Sequence, residues 1–383
     1  MTVPPFATLI RAHRRTAGMT LHELAAASGV SVRAIGDMER GRSTAQARTL
    51  AALATALGLG AADRAALTTA AAAARSAPVG AFPLPRDVPD FTGRATLLDR
   101  LITACAGAAP VIVHGLPGAG KTALAVHAAT RFPGATHFLR CYGTTPSGAA
   151  RAGRAGTGAA DPAVPRRLPA IGGATSGRGL VVLDDVAGER QLGALLSLTG
   201  TAAVLVTSRA PLPGVDGAIR IEVPPLPAGE SVALLATITG SRAGAVTAAV
   251  AEHCGHLPLA LRIAGNRLAG RPGWTMTDLA ARLADEDRRL AVLSAGDLSV
   301  EAALAPSFAR LSAPTRTLIH RLAHTPARDV DTGTLIAVTG ADAASARTAL
   351  GELAAAGLLT PTGVAGRHHL HTLVRLFARH PPR

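Results

Sequence analysis

Eight consecutive residues carry the clearest chemistry in this chain: Gly115, Leu116, Pro117, Gly118, Ala119, Gly120, Lys121 and Thr122, in the spacing GxxxxGKT. Glycines let the backbone curl until several N–H groups face one phosphate, and a helix opening at Lys121 adds its positive end. Lys121 brings a mobile point charge to the β and γ phosphates, a task that suits a planar guanidinium poorly. Thr122 offers a hydroxyl to Mg²⁺, and Ala123 extends the cradle into the first helical turn. Lysine and arginine together number 39, and Lys121 is the sole lysine.

Two further segments supply groups that a phosphate site needs. LVVLDD, residues 180–185, is an apolar run ending in two carboxylates. At a sheet's C-terminal edge Asp184 can hold the water shell of Mg²⁺, and Asp185 can polarise an attacking water. Alone, such a run is only a strand cap; following a P-loop, it is a Walker B element. AAVLVTSR, residues 202–209, ends in Arg209, which at that edge could reach a γ phosphate. Strand-end arginines are also commonly just solvated.

These groups need elements to position them. The P-loop follows the strand VIVH and precedes the helix TALAVHAA; THFLRCY, LVVLDD, AAVLVTS and AIRIEV are further short apolar runs alternating with helical stretches. Alternation of that kind predicts a parallel sheet with right-handed crossovers. The expected architecture is multidomain: an all-α helix-turn-helix head over residues 1–75, a proline-bearing linker over 76–90, an α/β P-loop domain over 91–225, a helical domain over 226–295 and a winged-helix domain over 296–383. Within the P-loop domain, 143–179 is rich in Gly, Ala, Pro and Arg, carries Arg151, Arg154, Arg166, Arg167 and Arg178 against Asp161, and is expected to be a flexible insert.

At the N-terminus, TLHELAAASGVSVRAIGDMERG over residues 20–41 fits a helix-turn-helix. Leu24, Val30, Ile35 and Met38 would form the core, Gly29 would allow the turn, and Ser31 would cap the second helix. Val32, Arg33 and Asp37 would then face outward, with Arg33 placed for a guanine edge. Thr20, Arg14, Arg40 and Arg42 are candidates for phosphates. Up to Arg75 the segment has nine arginines against four acids, a sign that favours duplex DNA. A small helical bundle for protein contacts is the competing reading.

The order of the motifs carries a resemblance. Phe91-Thr92-Gly93-Arg94, then GLPGAGKT, VVLDDV, VLVTSR, CGHLPLAL from Cys254 to Leu261, and His369-Leu370-His371 resemble the NB-ARC module of STAND-class P-loop NTPases over roughly residues 86–380. The resemblance implies that Phe91 and Arg94 lie near the adenine, that Pro258 packs on the base, that Arg209 senses the γ phosphate, and that His371 touches the β phosphate of ADP. It also implies a closed ADP form and an open ATP form. Residues 6–59 resemble the Xre-type helix-turn-helix family. Departures are the triplet Leu370-His371-Thr372, whose last position lacks the family's carboxylate and implies a leaky ADP lock; Leu21, where that DNA-binding family usually has glutamine; and the arginine-rich stretch before LVVLDD. A repeat domain, usual in the NTPase class, is not expected before the chain stops at Arg383.

Composition narrows the classes. The chain has 383 residues, 48% of them hydrophobic, and a net charge of +14, which favours a polyanionic partner. No apolar run reaches the roughly 18 to 20 residues that span a bilayer, so neither export nor insertion is expected. Three scattered cysteines imply a cytoplasmic protein without a disulfide framework, and the scattered histidines show no metal spacing. The function expected is an ATP/ADP-switched, DNA-binding transcriptional regulator using Mg²⁺, acting as a slow ATPase and self-associating on ATP. Two alternatives stay open: a signalling or defence scaffold whose N-terminal unit recruits protein, and a nucleotide-binding regulator that does not hydrolyse.

Overall fold

The computed structural model describes residues 6–39, 45, 47–76, 83–141, 178–240, 244–296 and 298–380. The chain divides into two compact units, Met1–Gly80 and Ala81–Arg383.

Unit one holds α1 (Phe6–Thr16), α2 (Leu21–Ser28), α3 (Val32–Glu39), α4 (Ala47–Ala56) and α5 (Ala61–Ser76). Ile10, Leu24, Ile35, Leu53 and Leu67 are buried together, with Phe6 and Met38 closing the cluster; Val30, expected in this core, is only partly buried. Local sequence fixes the helix ends. Thr20 accepts from Glu23 N while Glu23 accepts from Thr20 N, a reciprocal cap that starts α2. Gly29, at φ 67°, donates to Ala25 O and stops it. Ser31 Oγ then accepts from Ala34 N at 3.2 Å and opens α3.

Unit two begins with α6 (Ala95–Ala106), β1 (Val111–His114), α7 (Lys121–Ala129), β2 (Thr136–Arg140), β3 (Leu180–Val186), α8 (Glu189–Leu196), β4 (Ala203–Ser208) and β5 (Ile219–Glu222). The five strands form one sheet in the order β2-β3-β4-β1-β5, all parallel. Alternate residues serve opposite faces. Val111, Val113, Leu180, Val182 and Leu205 join Leu98, Leu101 and Leu124 of α6 and α7 in one core. Ile112, Val181, Leu183, Val204 and Val206 join Leu192 and Leu195 of α8 in another. A sheet covered on both faces leaves ligands the C-terminal edge of its strands.

Then come α9 (Ala228–Thr239), α10 (Ala245–His253), α11 (Pro258–Ala269), α12 (Met276–Ala284), α13 (Glu286–Val292), a small antiparallel ribbon of β6 (Ser294–Ala295) and β7 (Leu298–Ser299), α14 (Val300–Ala309) and α15 (Ala313–Ala323). The chain finishes with β8 (Asp329–Val330), α16 (Thr332–Thr339), α17 (Ala343–Ala355), β9 (Leu359–Pro361), β10 (His368–Leu370) and α18 (Thr372–Arg379). The last three strands form an antiparallel sheet ordered β8-β10-β9.

Two of the expected segments fall partly within the described residues. The linker expected over 76–90 is not free along its length: α5 includes Ser76, and residues 83–90 belong to unit two. Leu84 packs against that unit's core, Asp87 Oδ2 meets His127 Nδ1 at 2.6 Å, and Asp90 receives both terminal nitrogens of Arg262 at 2.8 Å. Prolines keep the segment extended while its two carboxylates fasten it. Of the insert expected over 143–179, only 178–179 lie within the described residues. There Arg178 donates to Gly107 O at 2.5 Å and Thr201 O at 2.7 Å, tying together loops beside β3. Among the described residues no helix is long and apolar enough to cross a membrane.

Candidate nucleotide-binding site

The loop between β1 and α7 needs its glycines for different reasons. Gly115, at φ 143°, passes so close to β5 that a Cβ there would lie 2.6 Å from Val223 O. Gly118 and Gly120 hold φ 81° and 83°, and Gly120 opens α7. The loop curls around Lys121, whose Nζ donates to Gly115 O and Leu116 O, both at 2.8 Å. Lys121 keeps some exposure to the cavity, yet the surrounding protein strips its ammonium of water. Burial, with Arg209 as the next contribution, lowers its pKa to about 7, against the opposing pull of Asp185 and Asp184.

Asp184 lies at the end of β3 and is buried. Its Oδ1 accepts from Thr122 Oγ1 at 2.6 Å and from Thr207 Oγ1 at 2.7 Å. The strand register shifts between Leu183 and Val186, Asp185 takes φ 59°, and Asp185 N donates to Thr207 Oγ1 at 2.9 Å. This bulge allows both carboxylates to line the same cavity. Arg209, just past β4, lines it too, while its Nη1 donates to Ala303 O at 2.9 Å and Ser307 Oγ at 2.7 Å on α14. Burial lowers the Arg209 pKa, and Asp185 opposes that shift.

The cavity is about 560 Å³, within the range of small-ligand sites. Its polar wall includes Lys121, Thr122, Asp184, Asp185 and Arg209, and its apolar wall includes Val88, Phe91, Leu226, Leu234, Pro258 and Leu259. Phe91 stacks on His127 with ring centroids 3.9 Å apart and planes at 13°. Arg94 sits at φ 62° before α6, donates from its backbone N to Glu230 Oε1 at 3.1 Å and from Nη2 to Pro224 O at 2.8 Å. Burial lowers its pKa to about 10 despite Glu230.

Residues 5–67 match the family described as Helix-turn-helix domain. The chain is 35% identical over 323 residues to the regulatory protein AfsR of Streptomyces griseus, an alignment covering 77% of this chain and 33% of that protein. It is 34% identical over 341 residues to AfsR of Streptomyces coelicolor, covering 82% and 34% respectively. The chain thus spans about a third of these relatives. Among solved structures, the Walker-type ATPase PABY2304 of Pyrococcus abyssi superposes with a TM-score of 0.51 at 13% identity, covering 78% of this chain and 99% of that one. A helix-turn-helix domain thus precedes a P-loop and a parallel sheet that share the fold of that protein.

In that P-loop module the structure brings most expected site residues to one cavity: Phe91, Arg94, Gly118, Gly120, Lys121, Thr122, Ala123, Asp184, Asp185, Arg209 and Pro258 all line it. Gly115 and buried Ala119 shape the loop from behind without lining the cavity. His371 does not line it either. It is buried at the start of α18, where Nε2 donates to Gly255 O at 2.8 Å and Nδ1 accepts from Leu373 N at 3.2 Å. Those partners fix a neutral ring protonated on Nε2, and burial lowers its pKa to about 4. In this structure His371 thus joins α18 to the turn before α11. Gly255 is needed there, since at φ 58° its Cβ would lie 2.4 Å from His371 Cε1.

The helix-turn-helix unit yields one correction. Arg14, expected at a phosphate, is bound by Glu39 through Nε at 2.5 Å and Nη2 at 2.9 Å, with Nη1 on Met19 O. Thr20 and Ser31 act as helix caps. Arg40 and Arg42, and the side chains of Val32, Arg33 and Asp37, lie outside the described residues.

The charged cavity residues missing from the sequence-based set are Asp90, Arg140 and Arg262. Arg140 could have been found from its place at the end of a predicted strand. Arg262, four residues after Pro258, could have been found from helical spacing.

Proposed function

We propose that this chain is an ATP/ADP-switched, DNA-binding transcriptional regulator. The observation that carries the switch is Arg209: one side chain lines the phosphate-binding cavity and holds α14 of the C-terminal segment through Ala303 and Ser307. A γ phosphate would compete for this guanidinium and a β phosphate would not, so ATP would loosen α14 and ADP would leave it held. The β8-β10-β9 sheet with α15, α16 and α17 supports a winged-helix reading of that segment.

Lys121 would leave the carbonyls of Gly115 and Leu116 for phosphate oxygens. Thr122 and Asp184 would hold Mg²⁺: a hydroxyl and a carboxylate are hard oxygen donors, and Thr122 already touches Asp184. Among the described residues no group of three or more His, Cys, Asp or Glu could hold a metal, which suits Mg²⁺, because phosphates and water complete its shell. When bound, Mg²⁺ neutralises charge on the phosphates. Asp185 would orient water for slow hydrolysis. The helix-turn-helix unit, the net charge of +14 and the likeness to the regulatory protein AfsR support duplex DNA as the partner; the regulator would act in the cytoplasm and self-associate in its ATP form.

Nucleotide binding and phosphate release by wild type, Lys121→Ala and Asp185→Ala test this. Loss of binding in the first variant, and binding without release in the second, are expected. Nucleotide binding by Lys121→Ala equal to wild type would overturn the site.

A further inference from the structure

Arg140 ends β2 directly across from Asp184 in the parallel register. Its Nε lies 3.6 Å from Asp184 Oδ2, and its side chain is 53% exposed against 4% for Asp184. The other carboxylate oxygen, Oδ1, is already engaged by Thr122 and Thr207. Arg140 lines the same cavity as Lys121, Asp185 and Arg209. Two cavity arginines therefore differ in how firmly they are held. Arg209 has two hydrogen bonds to α14, while Arg140 has a long ion pair on a half-exposed side chain.

The pair is long and its guanidinium half-exposed, and Asp184 keeps its bonds from Thr122 and Thr207 when Arg140 swings away, so the guanidinium can leave the carboxylate at small cost. A terminal phosphate carries more charge and presents oxygens that fit the planar fork of arginine. We propose that Arg140 is a phosphate-contacting residue that engages the γ phosphate of a bound nucleoside triphosphate from the Asp184 side, so that the cavity prefers triphosphate to diphosphate. This rests on the nucleotide-binding reading above. A different role for Arg140 would be to offset the neighbouring carboxylates, Asp184 and Asp185, and that role would serve ATP and ADP alike.

Equilibrium binding of the full chain to ADP and to a non-hydrolysable ATP analogue, with Mg²⁺, separates the two roles. Arg140→Ala is expected to weaken the analogue about tenfold, the loss of one charge-assisted contact, while ADP changes by less than about twofold. Arg140→Lys is expected to recover part of the loss. Equal weakening of both nucleotides, or of neither, would overturn the proposal. Wild-type ADP binding keeps this result distinct from failure of the underlying reading: if wild type binds neither nucleotide, that reading fails and the Arg140 assignment falls with it.

Discussion

Arg209 Nη1 donates to Ser307 Oγ at 2.7 Å across 98 residues of sequence. This bond joins a residue at the sheet's C-terminal edge to a fully buried serine of α14. In the proposed switch this bond, with the one to Ala303 O, would carry the state of the cavity to the C-terminal segment.

Removing the acceptor tests that route. Ser307→Ala leaves Ala303 O as partner, and a hydrogen bond from a charged donor is worth about 1.5–3 kcal/mol. Faster amide exchange in α14, together with tighter binding of an ATP analogue by the freed Arg209, is expected. Unchanged exchange would mean that Ser307 does not hold the segment.

Lys121 makes a pH-dependent prediction. Its pKa is about 7 in the folded chain against the ordinary 10.5. Below pH 7 both states carry the proton, and folding bears the full cost of burying the charge. Between 7 and 10.5 the unfolded chain alone stays protonated, so the cost falls and stability rises with pH. Lys121→Met should therefore raise the melting temperature most at pH about 6.5 and progressively less toward pH about 10, while abolishing nucleotide binding. A gain independent of pH would show that the charge is not the cause.

His371 gives the same sign in a lower pH window, because its neutral form is the one built into the fold. Its pKa is about 4 against 6.5, so its contribution is complete above pH 6.5 and is lost as pH falls from 6.5 to 4. Urea unfolding across that window should show about one proton fewer taken up by His371→Gln than by wild type. The same uptake in both would exclude the buried neutral imidazole.

Glu39 and Arg14 separate folding from DNA contact. Glu39 is 7% exposed, and removing it leaves Arg14 without its carboxylate. Glu39→Ala should cost unit one about 3 kcal/mol, read as faster amide exchange in α1 and α3. Arg14→Ala should leave the salt dependence of DNA binding unchanged, whereas loss of a phosphate contact would lower the slope by about one.

Much of this was legible locally. The glycines before Lys121, the apolar strands ending in Asp184 and Arg209, and the caps at Thr20 and Ser31 are set by neighbours in sequence, where spacing reports geometry. Contacts across long separations were not. Nothing in VLVTSR indicates that Ala303 and Ser307 will receive Arg209, nor does a proline-rich stretch reveal that Asp90 will meet Arg262. His371 was assigned from the motif it belongs to, but its neighbour Gly255 draws it to the turn before α11. The charge of Arg14 suggests a phosphate, while the partner that occupies it, Glu39, is 25 residues away.

The switch itself is tested most directly by measuring the affinity of the full chain for promoter DNA, against random duplex, with ADP and with a non-hydrolysable ATP analogue, in wild type and Lys121→Ala. Wild type is expected to prefer specific DNA and to change its affinity between the two nucleotides, while Lys121→Ala responds to neither. The same DNA affinity in wild type with ADP, with the ATP analogue and with no nucleotide would contradict a nucleotide-switched regulator.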